Sequence, residues 1–268
     1  MPRRSRWKRR RWRRCRNCWQ DRLMRINHRW HQILGSSNGV PLSNAVDCNA
    51  FGLETSAGLV MFDAGAGIDP VELHTAVAAA GFANGPRHLF LTHGHADHSG
   101  GAAHIARQYG SVVYAGPLTA EWLAAGDEER ISLPAARRAG VYPDQYKWQP
   151  LVIDQIVDDA AAIAIGDAEI RPVATPGHSA DHLSYLVTID GEATLIAGDA
   201  IFAGGTIILQ DIWDSSVAQS CESIRRLASL SFDAFLAGHG SAVLSGAKSH
   251  VAEAMQRVAR LLPPRNFV

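Results

Sequence analysis

Residues 92–98 contain four side chains that can bind a metal ion within six positions, and they directly follow the apolar run 88–91. The four are His93, His95, Asp97 and His98. Imidazole and carboxylate groups are ligands that zinc, iron and manganese accept in proteins. A strand that ends in such a segment holds these side chains at its carboxyl end, where a short turn can direct several of them toward one point. The spacing therefore predicts a metal site and not a solvated polar turn.

Four further candidates each follow a short apolar run, at the position where a strand would end. They are Asp63 after residues 58–62, His178 after 170–174, Asp199 after 194–197 and His239 after 232–237. Glycines near several of them permit a sharp turn and a close approach of metal or substrate to the backbone. Five such placements in one chain argue against coincidence and indicate a single site.

The order of these signals is H-x-H-x-D-H, then a lone His, a lone Asp and a lone His. This order resembles that of the metallo-β-lactamase-fold hydrolases, over nearly all of the chain from about Ile26 onward. The resemblance implies that His93, His95 and His178 bind a first metal ion. It implies that Asp97, His98 and His239 bind a second ion, that Asp199 bridges the two, and that Asp63 supports the site from behind the ligands.

Such a ligand set implies a hydrolase with two zinc ions, with iron or manganese as alternatives. Three imidazoles on one ion leave an open position for water, and a second ion about 3.5–4 Å away would share that water as hydroxide. We expect the bridging hydroxide to attack an ester, thioester or lactone of a small molecule. Asp97 and Asp199 are the predicted catalytic residues, because they hold the two dications together and Asp97 can pass a proton to the leaving group.

Several functions compete for this motif set. Glyoxalase II-like thioesterases share it but append a helical domain after the last ligand, whereas 29 residues follow His239 here. The layout is closer to that of lactonases, in which Tyr146 or Tyr185 would polarise the carbonyl. An alternative of another class is a mononuclear iron persulfide dioxygenase, which the complete second ligand set disfavours. A binding protein on a hydrolase scaffold has little support because no ligand is missing.

Charge is divided unevenly along the 268 residues, although the formal net charge is zero. Residues 1–30 hold 13 of the 26 Lys and Arg with one acidic residue, so the remainder has 13 basic against 25 acidic residues. An acidic body argues against a nucleic-acid enzyme. The four cysteines suggest no disulfide framework, and no apolar run reaches about 18 residues. We therefore predict a cytoplasmic protein with no nucleic-acid or membrane partner, and leave its oligomeric state open.

Strand-like and helix-like runs alternate along the chain, and strand-rich halves with helices outside predict an α/β fold, the αββα four-layer sandwich. Residues 1–23 are interpreted as a basic disordered tail or as sequence upstream of a start at Met24. Residues 24–268 are predicted to be the catalytic domain, with a pocket-covering insert at about 118–150. Tyr142, Tyr146 and Tyr185 are the predicted substrate-binding residues.

Overall fold

A computed structural model describes residues 25–37, 39–159 and 161–267, so the predictions for residues 1–23 lie outside the described residues. In the described part, the first sheet has six strands in the order β1–β4–β5–β6–β7–β8, and a separate hairpin pairs β2 with β3. Their bounds are β1 Trp30–Gln32, β2 Ser36–Ser37, β3 Val40–Pro41, β4 Phe51–Thr55, β5 Gly58–Phe62, β6 His88–Phe90, β7 Val112–Ala115 and β8 Gln155–Ile156. Strands β5 to β8 run parallel to one another, and β4 is antiparallel to both β1 and β5.

The second sheet, within the same described ranges, has five strands in the order β13–β12–β11–β10–β9. They are β9 Ile163–Ile165, β10 Ala168–Ala174, β11 Leu183–Ile189, β12 Glu192–Gly198 and β13 Ala234–Ala237. Strands β9 to β12 are antiparallel neighbours, and β13 runs parallel to β12. The hairpin turn between β10 and β11 and the end of β12 therefore lie at the same edge of this sheet as the end of β13.

Helices cover the outer face of each sheet. Those of the first half are α1 Pro70–Ala79, α2 Ala96–Ser99, α3 Ala102–Tyr109, α4 Pro117–Ala125 and α5 Leu133–Arg138, and those of the second half are α6 Val217–Ser229 and α7 Ala247–Val258. Asp69 caps α1 by accepting hydrogen bonds from the amides of Val71 and Glu72. Across the described residues, no helix combines the length and the apolar composition that spanning a bilayer requires.

The alternation of side chains along each strand builds three apolar layers. In β5, Leu59 and Met61 pack outward against helices α1 and α3, whereas Val60 and Phe62 pack inward between the sheets. In β12, Leu195 packs outward against α6 and α7 while Ile196 packs inward. Two sheets face to face with helices on both outer faces form the αββα sandwich that the sequence predicts.

The predicted insert at 118–150 contains α4 and α5, followed by a stretch without regular structure up to β8. Both helices belong to the apolar layer on the outer face of the first sheet, through Trp122 and Leu123 of α4 and Leu133 of α5. The segment thus packs beside the sandwich and reaches the edge at which β6 ends.

Candidate metal centre

Asp63 orients two of the predicted ligands from behind. It follows β5 directly, and its backbone adopts φ = 60°, a left-handed conformation that costs free energy in a residue other than glycine. Its carboxylate accepts hydrogen bonds from the amide of Thr92 (2.8 Å) and from the Thr92 hydroxyl, and its Oδ2 lies 2.9 Å from His98 Nδ1. Because Thr92 Oγ1 donates to Asp63, it accepts from His93 Nδ1 at 2.9 Å. Both histidines therefore keep Nε2 free to bind an ion.

Three imidazoles form a first group at the end of β6. The ligand atoms of His93, His95 and His178 lie within 4.8 Å of one another, and all three side chains are buried. His95 Nδ1 and His178 Nε2 are 3.0 Å apart. His178 comes from the turn between β10 and β11, so this group joins the two sheets.

A second group lies beside the first and contains Asp97, His98 and His239, whose ligand atoms also lie within 4.8 Å of one another. His239 Nε2 is 3.2 Å from Asp97 Oδ2, and His98 Nε2 is 3.5 Å from the same oxygen. Asp199 lies between the groups: its Oδ2 is 3.4 Å from His178 Nε2 and 3.4 Å from His239 Nε2. The structure thus brings all seven predicted ligands together, with Asp199 in contact with both groups.

Several buried polar atoms at this centre have no hydrogen-bond partner, as is expected of atoms that bind a cation. Among the described residues, His93 Nε2, His98 Nε2 and Asp199 Oδ1 are buried with no hydrogen-bond partner. Buried polar groups normally have partners, and leaving one without costs free energy. A divalent ion held by these atoms would satisfy them, so the donor set fits the metal that the sequence predicts.

Cys48 lies close to Asp63 and His98 and forms a third possible ligand group with them. Burial raises the pKa of its thiol to about 12, so the thiolate that binds metal is disfavoured. Asp63 and His98 Nδ1 are in addition hydrogen-bonded to each other. This group is therefore a poorer metal site than the two beside it.

The electrostatics divide the centre into a neutral part and a charged part. Burial lowers the pKa of His93 well below its usual value and that of His178 to about 4, so both imidazoles are neutral at pH 7 and available as ligands. Burial opposes ionisation of Asp97 and Asp199, but neighbouring histidines lower the pKa of both carboxyls below the usual range. Asp199 and Asp97 in turn raise the pKa of His239 to about 10 against the effect of burial. Two carboxylates that stay ionised beside neutral imidazoles form an environment that attracts divalent cations.

Asp214 is a site residue that the sequence analysis missed. Its side chain is fully buried, with Oδ2 3.1 Å from His95 Nε2 and Oδ1 accepting from the Ser132 hydroxyl at 2.9 Å. A carboxylate can only accept, so His95 donates from Nε2 and keeps Nδ1 free to bind an ion. Asp214 lies in an irregular loop with no strand before it, so nothing in the local sequence pattern distinguishes it.

His182 is buried beside the centre and supports it without belonging to either ligand group. Its Nε2 accepts from the backbone amide of Asp199 at 2.9 Å, and its Nδ1 lies 2.8 Å from Thr175 Oγ1. Both ring nitrogens are thereby engaged, and the residue holds the end of β12 in position.

A cavity of about 460 Å³ opens beside the centre and is lined in part by Asp97, His239 and Tyr142. Tyr142 therefore lies where a predicted substrate-binding residue should. Tyr146 stacks against Tyr142 with ring centroids 4.6 Å apart, and its hydroxyl donates to the Ala66 carbonyl at 2.8 Å. The prediction that Tyr146 contacts substrate is wrong, because it packs behind the wall with its hydroxyl already bonded.

The prediction for Tyr185 is also wrong. Its side chain is fully buried between the two sheets, 5.3 Å from the Phe90 ring, and its hydroxyl donates to the Leu91 carbonyl at 2.6 Å. It points inward from β11 and joins the core. Tyr185 therefore stabilises the strand that leads to His93 and cannot polarise a substrate carbonyl.

Tyr185→Phe is expected to lower the free energy of unfolding by about 1–3 kcal/mol, because it leaves the buried Leu91 carbonyl without this donor. Catalytic efficiency should stay within about twofold of the parent protein, since no contact with substrate is lost. Denaturant unfolding and steady-state kinetics on the same preparation measure both quantities. A large loss of kcat at unchanged stability would restore Tyr185 as a catalytic candidate.

Gly238→Ala is expected to disrupt the centre, since an added Cβ would lie 2.2 Å from Asp199 Oδ1 and 2.7 Å from His98 Cε1. Displacing either side chain should reduce bound metal per chain, and overpacking should destabilise the fold by about 1–3 kcal/mol. Gly94→Ala is the matched control within the ligand motif, since its Cβ would come no closer than 3.1 Å to a side chain, that of Ile131, and would touch no ligand within 4 Å among its three nearest atoms. Equal metal content in both variants, measured by elemental analysis, would contradict this account.

Comparison with known proteins agrees with this geometry. A family model described as the metallo-beta-lactamase superfamily matches residues 44–239. The chain belongs to the metallo-β-lactamase superfamily. The resemblance predicted from the motif order is thus confirmed. The fold of this superfamily implies a divalent metal, typically zinc, and the donor set described above fits one.

Relatives within the superfamily carry several names. The chain is 27% identical over 212 residues to an atrochrysone carboxyl ACP thioesterase of Aspergillus fumigatus, with 79% of this chain and 56% of that protein covered. It is 30% identical over 143 residues to a hydroxyacylglutathione hydrolase of Rhodospirillum rubrum, with 53% and 43% covered. The chain thus spans about half the length of these curated relatives. A subclass B3 metallo-β-lactamase of Bradyrhizobium japonicum superposes with a TM-score of 0.60 at 18% identity over 80% of this chain and 87% of that one, which shows the shared fold.

Proposed function

We propose that this protein is a metal-dependent hydrolase that cleaves an ester, thioester or lactone of a small molecule at a centre of two divalent ions, zinc in the simplest case. The observation that carries the proposal is the position of Asp199, whose carboxylate contacts both ligand groups. A carboxylate in contact with two groups of imidazole ligands is the arrangement expected where two dications must be held close together.

The residues divide into two ligand groups with one shared member. His93, His95 and His178 would hold one ion, and Asp97, His98 and His239 the other, with Asp199 contributing to both. Ions held by these residues would supply a Lewis acid for the substrate carbonyl and would make water a better nucleophile at neutral pH. Two named relatives, a thioesterase and a hydroxyacylglutathione hydrolase, support a carbonyl substrate.

Asp97 and Asp199 have different access to substrate. The Asp199 side chain is 2% exposed, whereas that of Asp97 is 22% exposed and lines the cavity. This exposure supports the proposal that Asp97 accepts a proton from water and passes it to the departing alkoxide or thiolate. Asp199 would hold the two ions together and would not contact the substrate.

Metal analysis of protein purified without added metal, combined with turnover assays on lactones, acylthioesters and aryl esters, tests the proposal. About two zinc ions per chain, and hydrolysis that is lost on chelation and restored by zinc, are expected. About one iron per chain with oxygen consumption on glutathione persulfide would overturn it in favour of the mononuclear dioxygenase. Metal-loaded protein that hydrolyses none of the three ester classes would also contradict it.

A further inference from the structure

The cavity beside the candidate metal centre has metal-binding residues at its base and mainly apolar residues along its wall. At the base lie His95, Asp97 and His239, which belong to the two ligand groups. Most of the wall is apolar and comes from three separate segments of the chain, through Val46, Leu133, Ala136, Ala139, Val141 and Ile212. Its polar members are Ser132, Gln210 and Asp211. A volume of about 460 Å³ is typical of small-molecule sites and leaves room for several carbon atoms next to a reacting carbonyl.

Small side chains on α5 create much of this room. Ala136 is half-buried and faces the cavity one turn after Leu133, while Ala139 is exposed at the end of the helix and lines the mouth. Leucine or phenylalanine at either position would occupy space that is now open. The wall therefore suits an apolar group that extends away from the metal centre.

Beyond the metal centre, the described residues of this wall offer an anionic substrate no lysine or arginine as a partner. Among the described residues that line the cavity, none is lysine or arginine, and the carboxyl groups are those of Asp97 and Asp211. Arg137 follows Ala136 in α5, but its guanidinium donates to the Glu128 carboxylate and to the Tyr146 carbonyl.

We infer that this cavity is an acyl-binding subsite selective for uncharged, apolar acyl groups, so that the substrate is a neutral acyl ester, thioester or lactone. The inference rests on the proposed function for the reaction and adds the chemical class of the group that is bound. A carboxylate on the acyl group would lose hydration without gaining a cationic partner. Each methylene buried against the wall, in contrast, adds roughly fourfold in affinity.

Two esters that differ in one group test the subsite on the zinc-loaded full chain. 4-Nitrophenyl butanoate and the 4-nitrophenyl monoester of succinate share the leaving group, and the second replaces a terminal methyl by a carboxylate. We expect kcat/KM for the butanoate to exceed that for the succinate by about tenfold or more, because the desolvated carboxylate stays unpaired. Equal efficiency, or a preference for the succinate, would overturn the inference.

A charge introduced at the mouth should shift this preference in the other direction. Ala139→Arg is expected to reduce the butanoate-to-succinate ratio at least about threefold, since the guanidinium offers the missing partner. Ala125→Arg is the matched control, because Ala125 is also exposed at the end of a helix, α4, and does not line the cavity. An unchanged ratio in Ala139→Arg, or an equal change in both variants, would contradict the position of the subsite.

Binding of unreactive amides separates the subsite from the reaction. Butyranilide and succinanilic acid carry the same pair of acyl groups, and calorimetry on the zinc-loaded protein measures their dissociation constants without turnover. Tighter binding of butyranilide, in a protein that hydrolyses none of the esters, would uphold the subsite and refute the proposed reaction. Equal or tighter binding of succinanilic acid, or no binding of either amide, would refute the subsite.

Discussion

Replacing Asp199 by alanine is expected to reduce kcat/KM for hydrolysis by about 10²–10³-fold or more. A reduction of this size is typical when one group that stabilises charge in the transition state is removed. Metal content should fall from about two ions per chain to about one or less. The reason is that Asp199 Oδ2 lies 3.4 Å from both His178 Nε2 and His239 Nε2, so this one carboxylate can balance the charge of ions in both groups. Elemental analysis and kcat/KM on the same ester measure the two effects.

Glu192→Ala is the control for this experiment, since Glu192 is an exposed acid at the other end of β12. It should leave metal content and activity at the parent level, within about twofold. If Asp199→Ala keeps two ions per chain and full activity, the two ligand groups do not share this carboxylate. The proposal of a two-ion centre would then fail at its main observation.

Asp214→Ala is expected to weaken metal binding by about 10–100-fold, the usual cost of removing a partner that orients a histidine ligand. Without Asp214, His95 loses the acceptor of its Nε2 proton, and the tautomer that leaves Nδ1 free is no longer favoured. The metal affinity of Asp214→Asn should lie between those of the parent protein and Asp214→Ala. An amide oxygen still accepts from His95 but carries no charge. Competition with a chromophoric chelator gives the affinities, and the visible spectrum of the cobalt-substituted protein reports whether the ligand field has changed.

Asp144→Ala serves as the control, since Asp144 is an exposed acid in the predicted insert at 118–150 and lies outside both ligand groups. A loss of stability in Asp214→Ala with unchanged metal affinity and cobalt spectrum would mean that the residue only anchors the loop. A metal affinity that falls stepwise from the parent protein to Asp214→Asn and then to Asp214→Ala would instead show that Asp214 positions His95. The Ser132 hydroxyl bonds the other oxygen of Asp214, so Ser132→Ala should weaken affinity in the same direction but by less.

Most of the regular structure was predictable because local patterns carry it. The apolar runs 58–62, 88–91, 170–174, 194–197 and 232–237 coincide with or overlap strands β5, β6, β10, β12 and β13. Strands β2, β3 and β8 were not predicted, since a two-residue strand shows no alternation that a sequence pattern can reveal. Pairing with a neighbour forms them, and pairing is a property of the folded chain.

The positions of the candidate ligands follow from the sequence for a definite physical reason. In parallel neighbours such as β5 and β6, or β12 and β13, the residues after the strands emerge at one edge of the sheet. A histidine or aspartate after each apolar run is therefore directed to the same place. Seven ligand candidates and the supporting Asp63 were for this reason identifiable without a structure.

Side-chain direction within the buried strands was not identifiable. Residues Leu183, Ser184 and Tyr185 at the start of β11 are all buried, because both faces of the strand are covered in a four-layer sandwich. An aromatic residue there carries no signal of whether it faces the cavity or the core, and Tyr185 faces the core. The sequence also did not reveal which of Tyr142 and Tyr146 lines the cavity. The two rings stack on each other, and Tyr142 is the one that lines it.

The sequence by itself determined the type of fold, the family and the set of residues able to bind metal, since strand order and residue type are local properties of the chain. The tertiary structure decided which groups orient those residues and what surrounds the substrate. Asp214 is 119 positions from His95, and the apolar wall combines three segments that are distant in the chain. Such contacts arise from packing between layers, and no periodicity along the chain encodes them.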